Sequence, residues 1–277
     1  MSPPIIKSVH LVGDFNKALY LDREFLAFRP NIVFIEPTGR VVFEINEMGL
    51  KGETRDPSRK LAVVWGDSVA FGVGRGWPAL LNDFAPGWQF LNGGIEGDRY
   101  DNILRRANRC NRRYAVDLNL LMLGWHPFQR IPRRFTRRPA NRHLREHLTA
   151  FLEENPNTIL LTMPTALNRQ IIKRDLSGLF RGGHHETAFY FYGDRYSVPI
   201  QREVFAYITE RNAIAREVCA HLKIPVVDLF EEFSTEPLDD FRRDFFDVVH
   251  PRVSLYPRIA EAVYRGIKEL LTDARAA

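Results

Sequence analysis

From residue 60 onward, short apolar runs alternate with amphipathic stretches, and that alternation admits few architectures. Leu61–Trp65, Gln89–Asn92, Leu118–Leu123, Thr158–Met163 and Pro225–Asp228 read as strands, each too short for a helix of ordinary length. Helices are predicted to begin near Trp77 and Tyr100 and to lie around Arg142–Glu154, with two longer ones nearer the end of the chain. In the helix from Tyr100, the residues Tyr100, Ile103, Leu104, Ala107 and Tyr114 share one face, and Arg105, Arg106, Arg109, Arg112 and Arg113 are expected to point outward. The next long helix buries Val204, Ile208, Ala215, Val218, Cys219 and Leu222, and the last one Tyr256, Ile259, Val263, Ile267 and Leu270. Strands that alternate with helices pair in parallel through right-handed crossovers, so the expectation is one doubly wound sheet with helices on both faces.

Residues 1–59 follow another pattern. Asn31–Glu36 and Arg40–Ile45 flank a Pro37-Thr38-Gly39 turn, a hairpin signature. The polar stretch GETRDPSRK at 52–60 contains Pro57 and marks a boundary. The chain therefore divides into an N-terminal β-hairpin appendage (1–59) and a main domain (60–277).

Composition narrows the function classes. The 277 residues are 45% hydrophobic and 26% charged, which suits a large buried core and excludes a disordered or collagen-like chain. No apolar run approaches the roughly 18 residues of a membrane span. Lys7 and His10 interrupt the short apolar start, so a cytoplasmic protein without a signal peptide is expected. Cys110 and Cys219 fall on separate predicted helices with no second ligand at metal spacing, which argues against a disulfide scaffold or zinc finger. The net charge of +5 is local: residues 130–145 hold seven Arg and no acid.

In a doubly wound sheet the loops after the strands line one edge, where ligands bind. Those loops carry Gly66-Asp67-Ser68, Gly93 to Asp98, and Gly124-Trp125-His126, while Asp247 and His250 precede the last helix. A serine hydroxyl becomes a nucleophile once a base takes its proton, the base needs a carboxylate to fix its tautomer, and the oxyanion that develops needs donors. Each role has a candidate on this edge. Each candidate also has a plain structural alternative: Ser68 as a helix N-cap, Asp247 as a cap of the last helix, His126 and His250 as loop residues.

Two rival sites fit less well. The glycines Gly72, Gly74 and Gly76, with Glu96 downstream, resemble a dinucleotide fingerprint, but Trp77 displaces the third glycine and the run starts after Ser68 rather than at the strand end. A Gly-x-Ser-x-Gly elbow would need glycine where Ala70 stands. His184-His185-Glu186 lacks the helical spacing of a metal site, so no metal is expected.

Taken in order, these residues resemble the SGNH, or GDSL-type, hydrolases over about residues 60–270. VVWGDSVAFG (63–72) is similar to their first block, LNGGIEGD (91–98) to the second and DVVHP (247–251) to the last. LMLGWHP (121–127) stands where the third block usually ends in Gly-x-Asn, with His126 at the Asn position. ERNAIAREVCAHLKIPVVDLFEEF (210–233) resembles the helix and strand that commonly precede the last block. The resemblance implies an α/β fold, a three-layer α/β/α arrangement around a flavodoxin-like parallel five-stranded sheet. It further implies Ser68 as nucleophile, His250 as base and Asp247 as its orienting acid. The oxyanion hole would comprise the N–H groups of Ser68 and Gly97 together with His126, whose neutral ring can donate one N–H.

The expected activity is ester hydrolysis through an acyl-enzyme, on a small-molecule or glycan ester, without cofactor. Two other classes fit the same residues: acyl transfer to a sugar or other alcohol, and a binding module that keeps the fold without catalysis. Asp67, Trp125, Arg133 and Arg134 are candidate substrate contacts. For the Arg block, a solvated or partner-docking surface ranks first, an anionic substrate second and nucleic acid a distant third. The stretch around His184, with FYFYGDRY (189–196), is expected to form a lid or wall over the site.

Overall fold

The computed structural model describes residues 5–7, 19–22, 25–35, 41–124, 141, 143–166, 198–234, 244–245 and 249–273. Five strands form the central parallel sheet: β6 (Lys60–Trp65), β7 (Trp88–Asn92), β8 (Leu118–Met122), β9 (Thr158–Leu161) and β10 (Val226–Val227), in the order β10-β9-β8-β6-β7. Counted within the sheet this is the flavodoxin-like order 2-1-3-4-5, whose crevice opens between its first and third strands. Those strands are β6 and β8, paired with Trp65 opposite Leu121.

Alternation along β6 sorts the core into two faces. Ala62 and Val64 pack in one apolar cluster, with Trp77, Leu81, Ile259, Val263 and Ile267. Leu61, Val63 and Trp65 belong to the other, with Ile103, Leu104, Leu148, Phe151, Val218 and Cys219. The first face is covered by α1 (Ser68–Phe71), α2 (Leu81–Phe84), α6 (Leu229–Ser234) and α7 (Tyr256–Asp273). The second is covered by α3 (Tyr100–Arg113), α4 (Leu144–Glu154) and the C-terminal half of α5 (Val198–Leu222). These are the expected three layers.

Three local expectations need correction. The helix expected from Trp77 is a 3-10 turn, Trp77–Leu80, followed by the single turn of α2, with Pro78 in its first positions. On α3, Arg106 points inward rather than outward and is 7% exposed, because Asp98 and two backbone carbonyls await it. On α7, Leu270 is an exposed apolar residue and Leu271 takes the buried place.

Before the sheet lie β1 (Ile5–Lys7), β2 (Leu19–Asp22), β3 (Phe25–Phe28), β4 (Ile32–Ile35) and β5 (Val41–Ile45). The expected hairpin is the antiparallel pair β4–β5, with β1 added in parallel to β4, and β2–β3 form a second hairpin. Phe28, Ile32, Phe34, Phe43 and Ile45 form one apolar cluster with Phe71 and Ile95 of the main body. Among the described residues no helix is long and apolar enough to cross a membrane.

Candidate active site

The strand β6 ends at Trp65 and the chain turns at once into α1. Gly66 permits this, because a Cβ there would lie 2.5 Å from the Ala70 side chain and 3.2 Å from the Met122 carbonyl. Asp67 caps the helix: it is fully buried and its carboxylate accepts the Val69 N–H at 3.0 Å. The cap role that Ser68 could have filled is therefore taken by its neighbour, and Ser68 is the first residue of the helix, 6% exposed. Asp67, a candidate substrate contact by sequence, is buried, with one carboxylate oxygen engaged by the Val69 N–H.

His250 reaches Ser68 from the far end of the sequence, its Nε2 lying 2.8 Å from Ser68 Oγ. Its loop is closed by a bridge between Phe245 and Pro251 and by the Arg252 N–H donating to Asp244 O at 2.7 Å. Asp244, 2% exposed, also accepts from Arg258 Nη1 at 3.2 Å. Directly after this loop, the Tyr256 hydroxyl accepts the Val73 N–H at 2.7 Å, which ties the start of α7 to the turn that follows α1. Burial pushes the Tyr256 hydroxyl up to about 12, so it serves as a neutral group.

The second block runs alongside α1. Gly93 N donates to Val64 O, Ile95 N donates to Gly66 O, and a Cβ on Gly94 would lie 2.5 Å from Phe71 N. Gly97 is exposed with φ +70°, a conformation that favours glycine, and nothing lies within 4 Å of a Cβ placed on it. Its neighbour Glu96 lies within electrostatic reach of His250. Burial raises the Glu96 carboxyl above its ordinary range and the His250 charge acts against that.

Three buried cations hold the backbone around these loops, and the sequence reading gave none of them that role. Arg106 Nη1 donates to Gly93 O at 2.5 Å and Nη2 to Gly66 O at 3.4 Å, while Asp98 accepts from Nε and Nη2 at 3.0 and 2.6 Å. Burial pushes the Asp98 carboxyl up, against the Arg106 charge and hydrogen bonds from Asn102 and Arg99 N. Arg211, 2% exposed, donates from Nη1 to Leu123 O and Gly124 O at 3.3 and 2.5 Å, at the start of the third block. Lys51 donates to Phe71 O and Gly72 O, at the end of α1. The only signal in the sequence for such groups is a charge beside an otherwise apolar helix face, and Arg106 is that case.

The structure thus brings Ser68 and His250 together and lays the loop of Gly97 along α1. Asp247, Trp125, His126, Arg133, Arg134 and the His184-His185-Glu186 stretch lie outside the described residues. Among the described residues no group of three His, Cys, Asp or Glu side chains is placed to hold a metal. Cys110 and Cys219 are buried, with thiols pushed up to about 12 by burial.

Comparison with known proteins gives this geometry a context. Residues 64–256 match the model of the GDSL-like Lipase/Acylhydrolase family. Among solved structures, a lipase/acylhydrolase from Enterococcus faecalis is 22% identical with a TM-score of 0.53, covering 76% of this chain and 96% of its own. A variant of Axe2, an acetyl xylan esterase from Geobacillus stearothermophilus, is 18% identical with a TM-score of 0.52, covering 76% and 94%. LAE5, an alpha/beta hydrolase enzyme from the metagenome of Lake Arreo in Spain, is 17% identical with a TM-score of 0.52, covering 75% and 94%. At these identities the likeness is one of fold. Among curated protein sequences, none matches.

Proposed function

The chain belongs to the GDSL-like lipase/acylhydrolase family, hydrolases that act on ester bonds, and on that premise we propose that it is a serine esterase working through Ser68, His250 and Asp247. The observation that carries this reading is the 2.8 Å separation of Ser68 Oγ and His250 Nε2, residues that lie far apart in the sequence. It is a hydrogen-bond distance for an O–H donating to an unprotonated ring nitrogen.

In the proposed cycle, Ser68 Oγ attacks the ester carbonyl carbon while its proton passes to His250 Nε2. The carbonyl oxygen gains negative charge and accepts hydrogen bonds from the N–H groups of Ser68 and Gly97 and from the His126 ring. Asp247 holds the other ring nitrogen of His250 and stabilises the imidazolium. Collapse of the intermediate breaks the C–O bond to the alcohol, which leaves with the proton from His250. Water, deprotonated by His250, then releases the acid and frees Ser68. Ser68 is the first residue of α1, so its own N–H has no acceptor within the helix, which supports its proposed role as an oxyanion donor.

The proposed substrate class is a small-molecule or carbohydrate ester, with Trp125, Arg133 and Arg134 as candidate contacts, the arginines for an anionic group. No cofactor enters the cycle.

The reading is tested with a fluorophosphonate probe followed by intact mass. The wild type should take one adduct, Ser68→Ala none, and His250→Ala should react orders of magnitude more slowly. A folded wild type that takes no adduct contradicts the assignment.

A further inference from the structure

We propose that Lys51, contributed by the segment that precedes the sheet, is a positioning residue that fixes the turn carrying Ser68; the inference rests on the reading of Ser68 as nucleophile. Lys51 Nζ donates to Phe71 O at 2.7 Å and to Gly72 O at 3.1 Å. In the single turn of α1, Phe71 N and Gly72 N donate back to Asp67 O and Ser68 O, and the carbonyls of Phe71 and Gly72 lie beyond the reach of any further helical donor. Asn92 completes the arrangement. Its Nδ2 donates to Ala70 O and Phe71 O, both at 3.0 Å, and its backbone exchanges hydrogen bonds with that of Lys51 in both directions, at 2.8 and 2.9 Å. The end of β7, Lys51 and α1 are therefore one hydrogen-bonded unit.

The choice of lysine is the informative part. Lys51 is 2% exposed, and its ammonium lies 3.7 Å from the ring centroid of Phe71 and 4.8 Å from that of Phe43. Burial drives the amine well below its ordinary range, which marks a charge held at a cost. The carbonyl end of a helix and two ring faces offset part of it. An apolar side chain of similar length would fill the same space with no charge to desolvate. What lysine adds is a donor fixed on two carbonyls one helical turn from Ser68. A nucleophile displaced by about 1 Å can lose roughly a hundredfold in rate, so holding that turn has a direct kinetic consequence.

The test uses the full chain and compares Lys51→Met with wild type. Two quantities are read: the second-order rate of Ser68 labelling by a fluorophosphonate, and kcat and KM for 4-nitrophenyl acetate. With Lys51→Met folded by circular dichroism, labelling and kcat should fall roughly tenfold to a hundredfold while KM changes little. Ile32→Val thins the apolar cluster shared with Phe71 without removing a hydrogen bond, and it should lower the thermal midpoint while labelling at the wild-type rate. A folded Lys51→Met with wild-type labelling and kcat overturns the proposal. Should Lys51→Met fail to fold, Lys51→Leu, which likewise has no donor, is measured in its place, and a wild-type rate there overturns it equally. A wild type that takes no label defeats the Ser68 reading instead. Lys51 is then judged by amide hydrogen exchange at Phe71 and Gly72, which must accelerate in the variant, and unchanged exchange rejects the positioning role.

Discussion

Lys51, Asp98, Arg106 and Arg211 are ionisable groups held away from water around the carboxyl edge of the sheet, and the three cations each donate to two backbone carbonyls. Glu96 adds a carboxylate beside His250 whose pKa burial raises. Its contribution to stability is fully present below about pH 4.3, where folded and unfolded chains are both protonated, and is lost as pH rises through the raised folded value. Glu96→Gln removes that loss. Between about pH 4 and 7 the thermal midpoint of Glu96→Gln should gain progressively on the wild type in differential scanning fluorimetry, whereas a constant offset would deny it. The partners of these groups were hidden in the sequence for a common reason: Asp98 and Arg106 are eight positions apart and meet only because the loop before α3 folds back along the helix.

Among the elements, the fit between α7 and the edge strand β10 depends on Gly266. A Cβ there would lie 2.6 Å from Val227 Cγ2 and 3.2 Å from Cγ1, and a β-branched side chain has little freedom to yield. Gly266→Ala gains about 1 kcal/mol in helix propensity and loses about 1–3 kcal/mol to overpacking, so the net effect expected in urea denaturation is destabilising. Adding Val227→Ala should remove the overpacking, so that the two changes couple rather than add. A Gly266→Ala protein more stable than wild type would show that the strand moves aside. Strand and helix identity was legible from the apolar pattern, since β6 to β9 are short, mainly apolar runs and α3 has a single apolar face. Less legible was the short path from Ser68 to Leu80. There the spacing suggests a helix from Trp77, and Pro78 with the left-handed Gly72, Gly74 and Gly76 gives a 3-10 turn.

For the whole molecule, the relation between residues 1–59 and the rest matters most. The polar turn at 52–60 reads as a boundary, and within it Asp56 accepts from the Ser58 N–H and hydroxyl. The hairpin's apolar face nevertheless closes over Phe71 and Ile95. A chain beginning at Lys60 would expose both, a loss of about 3–6 kcal/mol at roughly 1.5–3 kcal/mol per side chain, against a total stability of about 5–15 kcal/mol. Such a chain should show a much lower urea midpoint or no cooperative transition, and a midpoint equal to that of the full chain would make the hairpin dispensable. Sequence alone determined the doubly wound sheet and the pairing of Ser68 with His250 as candidates, because apolar period and short motifs are local properties of the chain. Tertiary structure decided that Arg106 turns inward and that Lys51 reaches the helix of Ser68. Each of these needs a partner supplied by another element, and such a partner acquires its position only when the layers pack.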